Sequence, residues 1–380
     1  MKYNRVCIEA LAYQLPEETV TSGEIERRLA PLYERLRLPE GRLELMTGIR
    51  ERRFWPAAML PGEISASTAA KALQIAHVEP AEIGALVHAS VCRDYLEPAT
   101  ACGVHHRLGL AERVLAYDVS NACLGILNGI VQLANMIELG QIEAGIVVGS
   151  ETSRQLVETT IAALNADHSL TRESVKSALA SLTIGSASAA VVLTSLERSR
   201  TGNRLLAATG RAHSSGHDLC HSGRDEAVAG GMQPLMNTDS MRLMQEGVAA
   251  GIATFDDFLG DAGWSRDDID KTFCHQVGAA HRKLLLESLA LTEARDFATF
   301  QMLGNTGSAA LPVTMALGVE QGHLLPREHA ALLGIGSGIN TLMLAVDWQT
   351  TPSGMLPRGE EPAAAGSQDE SLSPAASLAR

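Results

Sequence analysis

The chain is poor in positive charge and in aromatic residues, and it lacks a long apolar run. Lys and Arg number 31 against 44 Asp and Glu, which gives a formal net charge of −13, and 4% of the residues are aromatic. Nucleic acids and anionic membranes are bound through clustered Lys and Arg, so this balance disfavours both classes of partner. No apolar stretch approaches the roughly 18 residues of a membrane-spanning helix. We therefore expect no nucleic-acid partner and no transmembrane segment.

Cysteine pairs with the spacing of a metal site are also missing. None of the six cysteines forms a CxxC pattern. Cys102 with His105 and His217 with Cys220 have suitable two-residue gaps. A structural zinc site needs four ligands, however, and these pairs lie far apart in the sequence, so we expect no metal site. The N-terminal residues lack the apolar core of a secretory signal, which favours a cytoplasmic location.

Three strand-like segments of the first half have counterparts in the second half. The pairs are residues 85–90 with 270–275, 119–123 with 300–305, and 146–151 with 331–338. Successive segments are about 30 residues apart, which is the size of one βα unit. The repetition predicts an α/β fold made of two duplicated halves.

The length of 380 residues also exceeds the usual size of a single hydrophobic core. We place one half at residues 1–200 and the other at 201–350. Residues 351–380 are rich in Pro, Gly, Ala and Ser and show no periodicity, so we expect them to be a disordered tail.

One cysteine stands where a strand is expected to give way to a helix. Residues 114–119 are apolar and β-prone, the next residues are small, and Cys123 opens an apolar-periodic segment that reaches Ile137. A thiol at a helix N-terminus faces unpaired N–H groups and the positive end of the helix dipole, and both favour the thiolate. Cys123 is therefore a candidate nucleophile.

Two further reactive side chains follow expected strand ends in the second half, namely His275 and Asn305. In a duplicated α/β fold such ends meet where the halves join. Taken singly, a cysteine, a histidine and an asparagine are each more often structural than catalytic. Together they supply a nucleophile, an imidazole and an amide donor, which acyl transfer requires.

The glycine-rich run at residues 334–338 resembles a phosphate-binding loop only superficially. It leads into the apolar run 339–346, which we interpret as a strand, so the helix N-terminus that such loops need is absent. We expect instead that backbone N–H groups of Ser337 and Cys123 form an oxyanion hole.

Five motifs together resemble the thiolase superfamily in its ketoacyl-ACP synthase III branch. They are Thr-Gly-Ile-Arg-Glu-Arg-Arg (47–53), Asn-Ala-Cys-Leu-Gly (121–125), Cys-His-Gln-Val-Gly (274–278), Gly-Asn-Thr-Gly-Ser-Ala-Ala-Leu-Pro (304–312) and Gly-Ile-Gly-Ser-Gly (334–338). The resemblance implies a five-layered αβαβα fold and a homodimer. It also implies that an acyl group moves from a thioester to Cys123 and is then attacked by a carbanion from a second thioester, without a cofactor beyond the coenzyme A thioester substrates.

Residues 90–101 are most similar to the OleA-type acyl-CoA condensing enzymes, which begin long-chain olefin biosynthesis. In that group the glutamate matching Glu97 is a base that reaches into the partner subunit's site. Joining two unactivated acyl chains needs such a base, whereas a decarboxylating synthase obtains its carbanion from malonyl-ACP. Two alternatives remain. One is a decarboxylating synthase or a secondary-metabolite acyltransferase of the same branch, and the other is a non-catalytic homologue that binds acyl chains. A structural alternative for Glu97 is an acid at a helix N-terminus that begins at Pro98.

The resemblance also concerns coenzyme A binding. Synthases of this branch commonly clamp the adenine with a Trp and an Arg, and these positions are Arg42 and Met46 here. The resemblance therefore does not extend to the adenine clamp. Arg50, Arg52 and Arg53 are candidates for meeting the coenzyme A phosphates.

Overall fold

A computed structural model describes residues 1–222 and 236–355. Within these residues, nine strands follow one another in the hydrogen-bonded order β11-β12-β13-β8-β1-β7-β6-β4-β5, and two further pairs, β2 with β3 and β9 with β10, stand apart. The strands are β1 (Val6–Gln14), β2 (Glu18–Thr21), β3 (Glu51–Phe54), β4 (Ala85–Ala89), β5 (Leu115–Val119), β6 (Ala144–Glu151), β7 (Ala187–Ser195), β8 (Arg204–Ala212), β9 (Cys220–Ser222), β10 (Met236–Thr238), β11 (Lys271–Cys274), β12 (Glu328–Gly336) and β13 (Asn340–Trp348).

The helices cover most of the remaining chain. They are α1 (Ser22–Arg28), α2 (Ala30–Leu36), α3 (Arg42–Thr47), α4 (Pro61–Ala76), α5 (Thr100–Leu108), α6 (Gly125–Glu138), α7 (Arg154–Ala166), α8 (Ser240–Ala262), α9 (Ala279–Ser288), α10 (Phe300–Leu303) and α11 (Ala310–Glu320). Short 3-10 helices occupy Pro80–Glu82, Ser174–Thr183, Ser214–Gly216, Arg266–Asp268, Glu293–Arg295, Gly307–Ala309 and Ser353–Met355. In the described part of the chain, no helix is both long enough and apolar enough to cross a membrane.

The nine strands divide into two halves of matching order. In the first half, β1 pairs with antiparallel β7, β7 with antiparallel β6, and β4 lies parallel to both β6 and β5. In the second half, β8, β13, β12 and β11 repeat the places of β1, β7, β6 and β4. The halves meet at β1 and β8, where the amide of Ile8 donates to the carbonyl of Asn203 at 2.7 Å. The predicted duplication is therefore present in the strand order.

The repeat is incomplete at one place. Residues 300–305 hold the short helix α10 rather than a strand, so the expected parallel with residues 119–123 is wrong for the strand. The expected parallel holds for the helices that follow these segments, because α6 in the first half and α11 in the second half occupy matching positions. A single bridge between Thr272 and Asp296 stands where the first half has β5.

Helices α6 and α11 form a layer between the two half-sheets. Glycines permit this close packing, because a Cβ at Gly129 would lie 2.4 Å from a methyl of Val147, and one at Gly334 would lie 2.6 Å from a methyl of Leu127. Helices α4 and α5 cover the outer face of the first sheet, and α8 and α9 cover that of the second. The result is the expected five-layered αβαβα arrangement, which confirms the predicted fold class.

A smaller apolar cluster lies outside these layers. Side chains from α1, α2 and α3 pack against α7 and the 3-10 helix Ser174–Thr183, with Ile25, Leu32 and Val157 among the buried residues. Helix α1 begins with a capping box, in which Thr21 accepts from the amide of Glu24 and the Glu24 carboxylate accepts from the amide of Thr21. All residues of this cluster belong to the first half of the chain.

Residues 351–355 differ from the expected disordered tail. Trp348 Nε1 donates to Thr351 Oγ1 at 3.1 Å, and Met355 is buried in the main core. The prediction that the tail begins at residue 351 is therefore wrong for residues 351–355. Residues 356–380 lie outside the described residues.

Gly149 of β6 tests the close packing of the first sheet. A Cβ there would lie 2.1 Å from the carbonyl oxygen of Ala89, so Gly149→Ala must displace backbone and should destabilise the fold by about 1–3 kcal/mol. Gly260→Ala in α8 is the matched control, because nothing lies within 4 Å of its added Cβ, and it should be neutral or stabilising by up to about 1 kcal/mol. Urea unfolding of both variants measures the difference; equal stabilities would contradict the packing described here.

Candidate active site

Cys123 lies in a strained turn between β5 and α6. Ala122 just before it has φ of +44°, a left-handed conformation that costs a residue with a Cβ roughly 1–2 kcal/mol. Side-chain amides hold the turn: Asn121 Nδ2 donates to Asn128 Oδ1 at 2.8 Å, and Asn340 Nδ2 donates to Asn121 Oδ1 at 3.1 Å. The turn is therefore fixed from α6 and from β13 of the second half.

The end of β12 passes close to the same turn. A Cβ at Gly336 would lie 3.0 Å from Leu124 Cγ and 3.7 Å from the amide nitrogen of Cys123. Ser337 follows directly in the loop that joins β12 to β13. The structure thus brings this loop beside Cys123, and the oxyanion hole formed by the two backbone N–H groups stays a prediction.

His275 follows the last residue of β11. Its amide donates to the carbonyl of Leu333 on β12 at 3.1 Å, and the residue is 4% exposed. Within the described residues its Nδ1 has no hydrogen-bond partner. Burial, with a smaller contribution from His281, lowers the pKa of His275 to about 3. The imidazole is therefore neutral at physiological pH and carries one N–H that can donate.

Asn305 is held by its backbone and by one side of its amide. Its N–H donates to the carbonyl of Thr183 at 2.9 Å, and its carbonyl accepts from the amide of Gly185 at 2.9 Å. The side-chain Oδ1 accepts from the amide of Gly307 at 3.0 Å. With Oδ1 engaged in this way, Nδ2 is the side that can donate to a bound group.

Glu151 is a site residue that the sequence analysis missed. It ends β6 and is 4% exposed. Its carboxylate accepts from the amides of Val91 and Cys92 and from the amide and hydroxyl of Ser308. A charged residue at the end of a strand that is otherwise almost entirely apolar was the available signal, because such a carboxylate needs several donors when buried.

The environment of Cys123 differs from the expected one. Burial in the first place, and then the charge of Glu151 and the neighbouring Cys220, raise the pKa of the Cys123 thiol to about 12. The prediction that the helix N-terminus favours the thiolate is therefore wrong for the resting protein. Cys123 rests as a thiol and must lose its proton as it attacks.

Glu97 lies on an exposed loop that is anchored at both ends. Ser90 Oγ donates to the carbonyl of Ser150 at 2.9 Å at the start, and the amides of Thr100 and Ala101 each donate to Asp118 at 2.8 Å at the end. Helix α5 begins at Thr100 rather than at Pro98, so the expected helix start is wrong. Asp118 supplies the carboxylate at this N-terminus, which removes the structural alternative for Glu97.

The three arginines differ in their surroundings. Arg52 is 0% exposed, and its guanidinium donates to Ser22 Oγ and to the carbonyl of Leu182, each at 3.1 Å. Burial lowers its pKa to about 10. The prediction that Arg52 meets coenzyme A phosphates is therefore wrong. Arg50 is exposed, and Arg53 is half-buried with Nη1 donating to the carbonyl of Pro16 at 3.0 Å; their role stays a prediction.

Comparisons with known proteins agree with this arrangement. The family described as "Thiolase, N-terminal domain" matches residues 46–199, and "3-Oxoacyl-[acyl-carrier-protein (ACP)] synthase III C terminal" matches residues 259–348. An acyl-CoA:acyl-CoA alkyltransferase of Shewanella oneidensis is 43% identical over 351 residues, which span 92% of this chain and 100% of that protein. The chain belongs to this alkyltransferase family. The enzyme of the same name from Xanthomonas campestris is 33% identical over 348 residues, or 92% of this chain and 100% of that protein.

Solved structures of Xanthomonas campestris OleA show the same fold. A cysteine-to-serine variant with bound lauric acid and lauroyl-CoA matches with a TM-score of 0.85 at 33% identity, over 91% of this chain and 100% of that one. A glutamate-to-alanine variant matches with a TM-score of 0.86 at 33% identity, over 92% of this chain and 99% of that one. The members of this alkyltransferase family thus share one architecture over nearly their whole length.

The raised pKa of Cys123 predicts a steep alkaline dependence of its alkylation. Iodoacetamide reacts with the thiolate, so the labelling rate of Cys123 should rise about tenfold per pH unit between about pH 7 and 9 without a plateau. Mass spectrometry of the Cys123 peptide at timed quenches measures the rate, and a glutathione reference at each pH corrects for the reagent. A plateau below about pH 8 would show that the thiolate is favoured at rest.

Proposed function

We propose that the chain joins two fatty acyl-CoA thioesters by a non-decarboxylative Claisen condensation, giving a 2-alkyl-3-oxoacyl product. The observation that carries the proposal is Glu97. Its loop is anchored to Ser150 and Asp118 while Glu97 itself is exposed, so a carboxylate base is presented on a fixed backbone. Such a base is what a condensation without loss of carbon dioxide needs.

In the first step Cys123 takes an acyl group. Its sulfur attacks the carbonyl of the first acyl-CoA, the carbon–sulfur bond to coenzyme A breaks, and the thiol proton leaves with the coenzyme A thiolate. The N–H groups of Cys123 and Ser337 stabilise the oxyanion that forms during this exchange. A thiol that rests protonated suits this order, because proton loss is coupled to arrival of the thioester.

In the second step a carbon–carbon bond forms. Neutral His275 and the Nδ2 of Asn305 donate to the thioester oxygen of the second acyl-CoA, which stabilises the enolate. Glu97 removes the α-proton, and the enolate carbon attacks the acyl carbonyl on Cys123. The bond from that carbonyl to sulfur breaks, and Cys123 recovers a proton. Exposed Arg50 and half-buried Arg53 are the proposed partners of the coenzyme A phosphates.

The spacing of two residues in a relative supports these roles. Structures of Xanthomonas campestris OleA include variants of one cysteine, one glutamate and one histidine. The replaced glutamate and cysteine of that protein are the same number of residues apart as Glu97 and Cys123 of this chain. We therefore assign nucleophile and base to these two positions.

We further propose a cytoplasmic homodimer in which Glu97 acts in the partner subunit's site. Tyr95 and Leu96 beside Glu97 are 59% and 52% exposed, and Leu115 of β5 is also exposed. Strand β5 is at the end of the nine-strand order and pairs on one side with β4. Unpaired strand edges and neighbouring apolar side chains favour association with a second copy. The free state of all six cysteines fits a reducing compartment.

Condensation should occur with one substrate alone. Purified protein incubated with lauroyl-CoA and no malonyl thioester should release coenzyme A and form a product carrying two lauroyl-derived chains, detected by mass spectrometry. Cys123→Ser should lower this rate by at least about 1,000-fold, because the nucleophile is lost. Turnover that depends strictly on malonyl-ACP would contradict the proposal and select the decarboxylating synthase.

Glu97→Ala should separate the two steps. The variant should still form the acyl-Cys123 adduct, seen as an added acyl mass on the intact protein, and should condense at least about 100-fold more slowly because the base is missing.

A mixed dimer of two variant chains tests whether Glu97 acts in the partner's site. Co-expressed Glu97→Ala and Cys123→Ser chains, differently tagged and purified as a mixed dimer, should regain activity, since one site then has both groups. An inactive mixed dimer would place Glu97 in the site of its own chain.

A further inference from the structure

Glu151 joins parts of the site that come from different halves of the chain. It stands at the end of β6, beside the loop that follows β4 and beside the turn that follows α10. The first of these segments carries Glu97, and the second carries Asn305. None of the catalytic roles proposed above uses Glu151.

On one side the carboxylate fixes the start of the Glu97 loop. Oε1 accepts from the amide of Val91 at 3.1 Å, and Oε2 accepts from the amide of Cys92 at 3.3 Å. Both contacts are to backbone, so they set the direction in which the chain leaves β4. Ser90 is tied next to them through its hydroxyl to the carbonyl of Ser150.

On the other side the same carboxylate fixes the turn of Asn305. Oε1 accepts from the amide of Ser308 at 3.1 Å and from its hydroxyl at 2.5 Å. Gly307 packs directly on Glu151, since an added Cβ would lie 3.0 Å from Cδ. The amide of Gly307 in turn donates to Asn305 Oδ1, so the orientation of the Asn305 amide depends on this contact.

We propose that Glu151 is a positioning residue that holds the Glu97 loop and the Asn305 turn in fixed positions relative to each other and to Cys123. The inference rests on the proposed condensation, in which the base and the enolate donors must act on one substrate. A carboxylate suits this position because it accepts only, and all four groups that face it donate. An amide of the same size would turn its own N–H groups toward one or more of these donors.

The charge of Glu151 excludes a simpler explanation. It raises the pKa of the Cys123 thiol, so it works against formation of the nucleophile. Activation of Cys123 is therefore not its contribution, and its effect on catalysis should fall on the second step.

Two substitutions of Glu151 separate the effect of its charge from the effect of its side-chain length. Glu151→Gln keeps the length and removes the charge, whereas Glu151→Asp keeps the charge and shortens the side chain by one methylene. Glu9→Gln is the matched control, because Glu9 is 2% exposed and its carboxylate accepts from the amide of Arg200 and the hydroxyl of Ser199. Glu9 lies on β1 and contacts none of the site residues described above. Thermal unfolding of all three variants reports any general loss of stability.

Both Glu151 variants should acylate Cys123 normally but condense slowly. We expect the kcat for condensation of lauroyl-CoA to fall about 100-fold, as displaced catalytic groups do, while the KM stays within about threefold of the parent value. Glu9→Gln should retain the parent kcat. Only Glu151→Gln should move the alkylation profile of Cys123 to lower pH, because only that change removes the negative charge beside the thiol.

The outcomes distinguish the two proposals. If the parent protein does not condense lauroyl-CoA, the proposed function fails, and the alkylation profile still tests the position of the Glu151 charge. If the parent condenses and both Glu151 variants match Glu9→Gln, the positioning role is overturned. Should Glu151→Gln not fold, Ser308→Ala removes one of its contacts and should lower condensation but not acylation; an unchanged condensation rate would also overturn the inference.

Discussion

The close approach of both half-sheets to α6 is the constraint on which the site depends. Glycines at 129 and 334 let the helix contact β6 on one side and β12 on the other. Because α6 is held in this way, the turn before it lies where strand ends from both halves meet. The turn that carries Cys123 thus lies beside the end of β12, and Asn121 within this turn accepts a hydrogen bond from the side-chain amide of Asn340. A bulkier residue at either glycine would part the layers and open the site.

The same packing determines the electrostatics. Cys123 is half-buried and His275 is 4% exposed, and burial holds the thiol protonated and the imidazole neutral. A neutral pair is compatible with a dry interior, whereas a resting thiolate and imidazolium would each carry a desolvation cost. The buried charge of Glu151 is matched by four donors. Beside the neutral Cys123 and His275, this charge thus lies on a group that holds the backbone.

Sequence reasoning predicted what periodicity and motif order encode. The duplicated halves and the strand ends that precede Cys123 and His275 follow from local pattern. It failed where partners come from distant parts of the chain. From the sequence Arg52 is expected to be an exposed cation, but in the structure it is buried and donates to Ser22 and Leu182. The repeat likewise predicted a strand where the structure has α10.

Glu151 and Asp118 illustrate this limit most clearly. Each is an acidic residue at or near the end of a strand, and the local pattern does not tell the roles of the two apart, whereas Glu97 stands out through its resemblance to a known motif. The structure separates them by their donors: Asp118 accepts from the first amides of α5, Glu151 accepts from two loops, and Glu97 remains exposed. A carboxylate whose oxygens already accept from backbone donors has fewer acceptor positions left for another group. Glu97 is exposed, which suits the base proposed for this position.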